Sequence, residues 1–242
     1  MTAEKARPGV SEEALAMLRE VSTATVTTQL LKLGFRNTFM AGVRPLRPDL
    51  RLAGYAMTLR FIPAREDLDL RLDIDNATNP QRIAVETIAR DEVLVIDARG
   101  EVNGAVLGEI LTARIMARGA AGLVTDGALR DSPAIAALGL PTYARAAHAN
   151  ASVIMHHPVE VNAPIGCGGV MVQPGDVIVG DGEGVAVVPL ALAEEVARRA
   201  HEQEQLESYL LRRVREGAGL RGLYPPNEQT RREYEQWRAQ NS

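Results

Sequence analysis

Three residues in the middle of the chain carry side chains that can act on a small acidic metabolite. Glu109 follows Gly108, and after twenty intervening residues Arg130 and Asp131 stand side by side. A guanidinium binds carboxylate or enolate oxygens through its planar pair of donors. Two carboxylates supply the oxygen ligands that Mg²⁺ and Mn²⁺ prefer. The pattern therefore predicts metal-assisted chemistry on a 2-keto acid, with an enolate as the stabilised species.

The Arg–Asp pair follows an apolar strand predicted over residues 122–125. Because that strand is broken by glycine, Arg130 and Asp131 are expected in the loop at its carboxyl end, where ligand sites of α/β folds gather. Ser132 and Pro133 are expected to begin the next helix, with Ser132 as the N-cap. The alternative is purely structural, since Asp131 would also serve as a cap.

A second helix is predicted to begin directly after Gly108 and to end at Gly119. The backbone N–H groups of a first helical turn lack partners within the helix and can bind an anion. A substrate carboxylate is therefore expected on the amides from Gly108 through Glu109 and Ile110 to Leu111. The alternative for Glu109 is that a carboxylate simply stabilises the positive end of the helix dipole.

The order of the predicted elements indicates an α/β protein. Val93–Asp97 is a continuous apolar run typical of a buried strand, and strands and helices alternate from there to residue 144. Short valine-rich strands follow residue 152, and a long helix covers residues 190–216. We predict one catalytic domain over residues 1–216 and a C-terminal arm over 217–242. Tyr234 and Trp237 on one helical face favour docking of this arm on a neighbouring subunit, with a frayed end as the alternative.

The composition is that of an ordinary globular protein with an aliphatic core. Hydrophobic residues make up 46%, charged residues 24% and aromatic residues 4%, and the formal net charge is -4. No basic surface typical of nucleic-acid binding is expected. No signal segment or membrane-spanning run is found. With a single cysteine, a cytoplasmic location is expected.

The Gly108–Glu109 and Arg130–Asp131 motifs, with the strand and glycine turn between them, resemble the regulator of ribonuclease activity A-like superfamily. Residues 161–170, the Pro174–Asp176 turn and the segment 181–185 are also similar to it. The resemblance covers about residues 23–200. The catalytic branch of this superfamily contains the class II 4-hydroxy-4-methyl-2-oxoglutarate/4-carboxy-4-hydroxy-2-oxoadipate aldolases.

This resemblance implies an α-β-β-α sandwich, swivelling-domain-like, that assembles as homotrimers or as hexamers of trimers. It implies that the backbone of residues 108–111 binds the pyruvate carboxylate and that Arg130 binds the keto acid. Asp131 is expected to hold Mg²⁺ or Mn²⁺ directly, with Glu109 adding charge directly or through water. The implied reaction is retro-aldol cleavage of a 4-hydroxy-2-keto acid to pyruvate and a second carbonyl, with decarboxylation of oxaloacetate as a side activity.

Two departures from the aldolase pattern bear on that expectation. The aldolases carry Asp where this chain has Glu109, and they borrow an acidic residue from a neighbouring subunit, for which the acid-rich C-terminal helix offers several candidates. One alternative is the regulator branch, which inhibits an RNA-processing enzyme by protein contact; the Asp131 carboxylate argues against it. Another is a sugar-acid lyase or hydrolase with the same metal site. A methyltransferase activity is disfavoured, because the glycine-rich segment 180–184 precedes no helix.

Other polar residues are expected to be structural. His156 and His157 diverge on a strand, which predicts an edge or surface position. Cys167 has no evident activating base, so a packed thiol is expected. The acidic segment that contains Asp67, Asp69, Asp73 and Asp75 lacks a regular metal-loop pattern and is expected to form a solvated excursion reaching over the site.

Overall fold

The computed structural model describes residues 9–69 and 74–241, so Asp73 lies outside the described residues. The helices are α1 Glu12–Glu20, α2 Thr23–Lys32, α3 Glu66–Asp69, α4 Pro80–Thr87, α5 Glu109–Ala117, α6 Ser132–Leu138, α7 Ala193–Arg215 and α8 Glu228–Asn241. Short 3-10 turns cover Ser152–Ile154 and Leu190–Leu192.

The strands are mostly short. They are β1 Arg44–Pro45, β2 Leu52–Pro63, β3 Glu92–Asp97, β4 Ala105–Leu107, β5 Gly122–Thr125, β6 Ala128–Leu129, β7 Thr142–Ala144, β8 Ala146–Ala147, β9 His156–Val161, β10 Ile165–Cys167, β11 Val170–Val172, β12 Val177–Gly180 and β13 Val185–Val188. The main sheet has the order β1-β7-β5-β3-β2-β12-β13, and β9 also pairs with β2. The run β2-β3-β5-β7 is parallel, as the alternation of strands and helices predicts.

Both faces of the sheet are buried, which explains the unbroken apolar run of β3. Val93 and Val95 point inward to a core that also contains Tyr143 and Cys167. Leu94 and Ile96 point to the opposite face and pack with residues of α4, α5 and α6. Because successive side chains of a strand alternate between faces, a strand covered on both sides has to be apolar at every position.

A second helical layer covers the antiparallel end of the same sheet. Helices α1, α2 and α7 pack there against alternate residues of β12 and β13. The side chain of Ser11 accepts a hydrogen bond from the backbone N–H of Ala14 and caps α1 as predicted. Helices therefore lie on the outer faces of a curled sheet whose inner faces pack on each other, and the predicted α-β-β-α sandwich is confirmed.

The C-terminal arm folds back on its own chain. Trp237 of α8 lies 5.4 Å from Tyr209 of α7 between ring centroids, and Tyr234 lies 5.6 Å from the same ring. Arg213 joins the two helices through Glu233 at 3.1 Å. The shared aromatic face thus docks within the chain, while a contact with a neighbouring subunit stays a prediction. None of the described helices has the length and apolarity needed to cross a membrane.

Candidate active site

A small parallel sheet of β4, β6 and β8 brings the two sequence motifs together. Leu107 at the end of β4 pairs with Leu129 at the end of β6, and the backbone N–H of Arg130 donates to the carbonyl of Leu107 at 3.0 Å. Gly108 and Arg130 therefore leave neighbouring strands side by side. The expected loop directly after β5 is wrong in detail, because β6 intervenes before the Arg–Asp pair.

The start of α5 faces this junction. Gly108 is its N-cap residue and contributes no side chain to the cap. The N–H of Thr112 closes the first helical turn on the carbonyl of Gly108 at 3.1 Å, which leaves the amides of Glu109, Ile110 and Leu111 for partners outside the helix. Asp131 Oδ2 lies 3.4 Å from the amide nitrogen of Glu109, a loose contact between a carboxylate and the positive end of the helix.

Gly108 is required by close approach rather than by its backbone angles. A Cβ atom at this position would lie 2.8 Å from Asp131 Oδ2 and 2.9 Å from Arg130 Cγ. Distances this short do not occur between unbonded heavy atoms of this kind, so any larger residue would displace both side chains. The glycine that opens α5 thus fixes how closely the Arg–Asp pair can pack on the helix start.

Asp131 occupies an unusual backbone position. It is the N-cap residue of α6, with φ 57° and ψ 29° in the left-handed region, and its side chain makes no capping hydrogen bond. Ser132 is the first residue of the helix, so the predicted Ser132 cap is wrong. Left-handed backbone favours Asp and Asn among non-glycine residues. The conformation turns the Asp131 carboxylate away from its own helix and toward the start of α5.

Arg130 and Asp131 contact each other without saturating either group. Arg130 Nε lies 3.2 Å from Asp131 Oδ2, and the two side chains are 48% and 41% exposed. Exposed ion pairs of this kind contribute about 0–1 kcal/mol. The guanidinium and the carboxylate are thus available to other partners at little energetic cost.

The predicted residues line one cleft of about 290 Å³. Its walls come from the ends of β4 and β6, the first turns of α4 and α5, the 3-10 turn near residue 152, and Ile74. The lining residues are Ile74, Gln81, Arg82, Ala105, Val106, Leu107, Gly108, Glu109, Ile110, Leu111, Arg130, Asp131, Ala151, Ser152 and Val153. Ile74 belongs to the acidic segment and borders the cleft, while the reach of that segment over the site stays a prediction. Sequence reasoning missed Gln81 and Arg82, because α4 carries no motif that ties it to this cleft.

The cleft provides few ligands for a metal ion. Within residues 9–69 and 74–241, no group of three or more His, Cys, Asp or Glu side chains is placed to hold one. Two carboxylates, those of Glu109 and Asp131, line the cleft. Such an all-oxygen set fits Mg²⁺ or Mn²⁺, which keep several waters and take further oxygens from a substrate. It does not fit zinc, which takes three or four protein ligands that include nitrogen or sulfur.

A buried carboxylate, Asp126, ties three loops at the ends of the strands together. Asp126 accepts hydrogen bonds from the backbone N–H groups of Ala98 at 2.8 Å, Gly100 at 3.0 Å and Gly168 at 3.3 Å. Carboxylates that accept several backbone donors are firmly held. Asp126 therefore joins the ends of β3 and β5 to the β10–β11 hairpin.

The histidines and the cysteine lie outside the cleft lining. His156 is buried, with its Nε2 on the carbonyl of Gly104 at 2.9 Å, so its predicted surface position is wrong, whereas its strand β9 pairs only with β2 among the described strands and lies at an edge. Burial lowers the pKa of His156. His157 pairs with Asp69 at 2.7 Å. Cys167 is a packed thiol as expected, and burial raises its pKa well above the ordinary value.

Three comparisons place the chain among known proteins. A Halalkalibacterium halodurans protein, provisionally named as a 4-hydroxy-4-methyl-2-oxoglutarate aldolase, is 40% identical over 113 residues, which cover 47% of this chain and 53% of that protein. The match thus spans about half the length of that relative. A Burkholderia mallei protein with the same provisional name is 34% identical over 62% of this chain and 83% of its own.

The fold has solved counterparts. The crystal structure of Streptomyces coelicolor RraAS2, described as an unusual member of the RNase ES inhibitor RraA protein family, superposes with a TM-score of 0.74 at 32% identity, covering 84% of this chain and 98% of that one. The model of the RraA-like family, described as Aldolase/RraA, matches residues 23–187. That segment contains both motifs of the cleft and most of the sheet, so the chain belongs to the RraA-like (Aldolase/RraA) family.

Proposed function

We propose that this chain is a divalent-metal-dependent lyase that cleaves a 4-hydroxy-2-keto acid to pyruvate and a second carbonyl compound. The observation that carries the proposal is the convergence of Arg130, Asp131 and the uncapped start of α5 in one cleft. These groups suit a substrate with a carboxylate beside a keto oxygen. The provisional aldolase names of the relatives support the same reaction class.

We assign each group a role in that reaction. The C1 carboxylate lies on the first-turn amides of Glu109, Ile110 and Leu111, replacing the loose Asp131 contact at Glu109, where the helix dipole favours negative charge. The guanidinium of Arg130 binds the keto oxygen, on which charge grows as the C3–C4 bond breaks. The C4 hydroxyl passes its proton to Glu109, an exposed carboxylate at the cleft, and Glu109 returns the proton to C3 of the pyruvate enolate.

Asp131 would hold Mg²⁺ or Mn²⁺, with Glu109 adding charge directly or through water, and the cation would supply further positive charge at the keto oxygen. Oxaloacetate would lose CO₂ through the same enolate, so decarboxylation is proposed as a side activity. We also propose that the chain assembles as a homotrimer or hexamer, with residues 217–242 at a subunit contact and a neighbouring acid completing the site.

The experiment that tests this function is release of pyruvate, followed with lactate dehydrogenase and NADH. After treatment with EDTA and removal of the chelator, the protein should be inactive on 4-hydroxy-2-oxoglutarate and on oxaloacetate. Activity should return with Mg²⁺ or Mn²⁺ and not with Ca²⁺, which tolerates the required octahedral geometry poorly. A panel of 2-keto acids with no metal-dependent turnover of any member would refute the proposal.

A second candidate function is supported by the likeness to RraAS2. As a regulator, the chain would bind an RNA-processing enzyme through its surface and would need no metal. It would then form a stable complex whose affinity is indifferent to Asp131→Ala. Turnover of keto acids together with the absence of such a complex would remove this candidate. A sugar-acid lyase or hydrolase with the same metal site would instead appear in the substrate panel.

We expect Gly108→Ala to lower kcat/KM for pyruvate release by about 10- to 100-fold, because the new methyl group displaces Arg130 and Asp131 and small misplacements of catalytic groups have effects of this size. The melting temperature should change little, since both displaced side chains are exposed. The matched control is Gly166→Ala, where an added Cβ meets no atom within 4 Å. Equal activity of the two variants would contradict the proposed close packing.

A further inference from the structure

A second arginine, Arg82, lines the same cleft as the Arg–Asp pair. Arg82 lies in the first turn of α4, where its backbone N–H donates to the Asn79 side chain that caps the helix at 3.3 Å. The neighbouring Gln81 is buried, and its amide donates to the carbonyl of Val106 in β4. These bonds anchor the start of α4 beside the strand that leads to Gly108. Arg82 is therefore held at the cleft by the fold itself.

The guanidinium of Arg82 has a donor without a partner. Its Nε is buried and makes no hydrogen bond to the part of the chain that the structure describes. Other arginines near α5 are engaged: Arg114 pairs with Glu86 at 2.7 Å, and Arg118 donates to the carbonyl of Ile88 at 2.8 Å. A buried donor without an acceptor is unfavourable, and a functional role or a bound ion is among the explanations for such a group in a native protein. The unpartnered donor of Arg82 is thus consistent with an anion as its partner.

The charges of the cleft indicate which kind of anion would suit Arg82. Among the residues that the structure describes, the lining contains two guanidinium groups, Arg82 and Arg130, and two carboxylates, Glu109 and Asp131. A divalent cation would add two positive charges, which a substrate with two carboxylates would neutralise. A keto acid with one carboxylate would leave a positive charge unpaired at Arg82, which is expensive in a confined site.

We infer that Arg82 binds the second carboxylate of a 2-keto diacid, the one attached to C4 of the substrate. Arg82 is then the residue that selects diacids over monoacids. The inference rests on the proposed function, because it assumes that C1 to C3 occupy the subsite between Arg130 and the start of α5. A second cavity shares Ile74, Gln81, Ser152 and Val153 with the cleft, so a further substituent on C4 has room on that side.

Two cleavable substrates that differ in one group test this assignment. In 4-hydroxy-2-oxoglutarate C4 carries a carboxylate, and in 4-hydroxy-2-oxopentanoate it carries a methyl group. Arg82→Gln should lower kcat/KM for the diacid by about 10- to 100-fold, the size expected for a hydrogen bond between charged groups. The monoacid should change less than about threefold. The kcat/KM of Arg82→Lys for the diacid should lie between those of the wild type and Arg82→Gln, because lysine keeps the positive charge but lacks the planar pair of donors of arginine.

The matched control is Arg90→Gln, the same chemical change at an exposed arginine just beyond α4. It should leave both substrates as they are in the wild type. If Arg82→Gln lowers kcat/KM for diacid and monoacid equally, Arg82 only supports the cleft and the inference is wrong. If the preference for the diacid is unchanged, the second carboxylate binds elsewhere and the inference is wrong as well.

A binding measurement keeps this test independent of turnover. The unreactive pair 2-oxoglutarate and 2-oxopentanoate also differ by a carboxylate and a methyl group, and calorimetry with Mg²⁺ present gives both Kd values. The wild type should bind 2-oxoglutarate more tightly by about tenfold or more, and Arg82→Gln should abolish that difference. If Arg82→Gln abolishes the difference in Kd but the protein shows no turnover, the lyase function is refuted and the diacid-binding role of Arg82 is supported. If the protein turns over keto acids and Arg82→Gln keeps the preference for the diacid, only the role of Arg82 is refuted. Weak binding of both compounds by the wild type would refute the lyase function and the role of Arg82 together.

Discussion

Arg130→Ala should lower kcat/KM for pyruvate release by about a thousandfold. The Arg130 side chain lies near the start of α5, with its Nε 3.2 Å from Asp131 Oδ2. At this position the keto oxygen of the proposed substrate would become an enolate oxygen. Removing one preorganised donor from such a position costs about 10²- to 10³-fold in rate. Alanine also leaves the Asp131 carboxylate without its cationic neighbour, which adds repulsion toward the substrate. The effect should appear in kcat as well as KM, because the charge on the oxygen grows in the transition state.

The measurement is steady-state kinetics on 4-hydroxy-2-oxoglutarate and oxaloacetate with saturating Mg²⁺. Arg114→Ala is the matched control, because it removes an exposed arginine of the same helix region that pairs with Glu86 outside the cleft. It should retain activity within about threefold, since surface ion pairs contribute little. Arg130→Lys should recover part of the loss. Full activity of Arg130→Ala would rule out the proposed site.

Asp131→Asn should abolish activation by Mg²⁺ or Mn²⁺ and lower kcat/KM by about 100-fold or more. Asparagine has the same shape and tolerates the left-handed backbone of this position, so the charge is removed and the fold is kept. A neutral amide oxygen is a poor replacement for a carboxylate in a hard-cation site. The melting temperature should therefore remain near that of the wild type while metal affinity falls.

The direct readout is Mn²⁺ affinity from electron paramagnetic resonance, measured alongside the Mg²⁺ dependence of turnover. Asp91→Asn is the control, because Asp91 also has a positive φ of 60° and an exposed carboxylate, paired with Arg19. It should change neither quantity. Unchanged Mn²⁺ affinity in Asp131→Asn would show that the ion binds elsewhere, and unchanged turnover would show that the Asp131 carboxylate takes no part in the reaction.

The helix and strand content could be predicted from local features. Helix α5 begins at Glu109 after a glycine and ends near Gly119, and β3 covers Glu92–Asp97 around its apolar run. The caps are less predictable: α6 begins with Asp131 at the N-cap instead of Ser132. Both residues are good caps, and the choice depends on the contact between Asp131 and the start of α5, which no local pattern encodes.

The amino-acid sequence alone specifies which functional groups the proposed site can use, because residue types and the spacing from Glu109 to Arg130–Asp131 belong to the chain before it folds. The tertiary structure decided which residues share the cleft. Strands β4 and β6 are three and two residues long, too short for a periodic pattern, yet their pairing brings Gly108 to Arg130. Arg82 enters the same cleft only because α4 packs beside β4. Such contacts between distant segments depend on how whole layers bury their apolar faces, and that is a property of the assembled sheet rather than of any single segment.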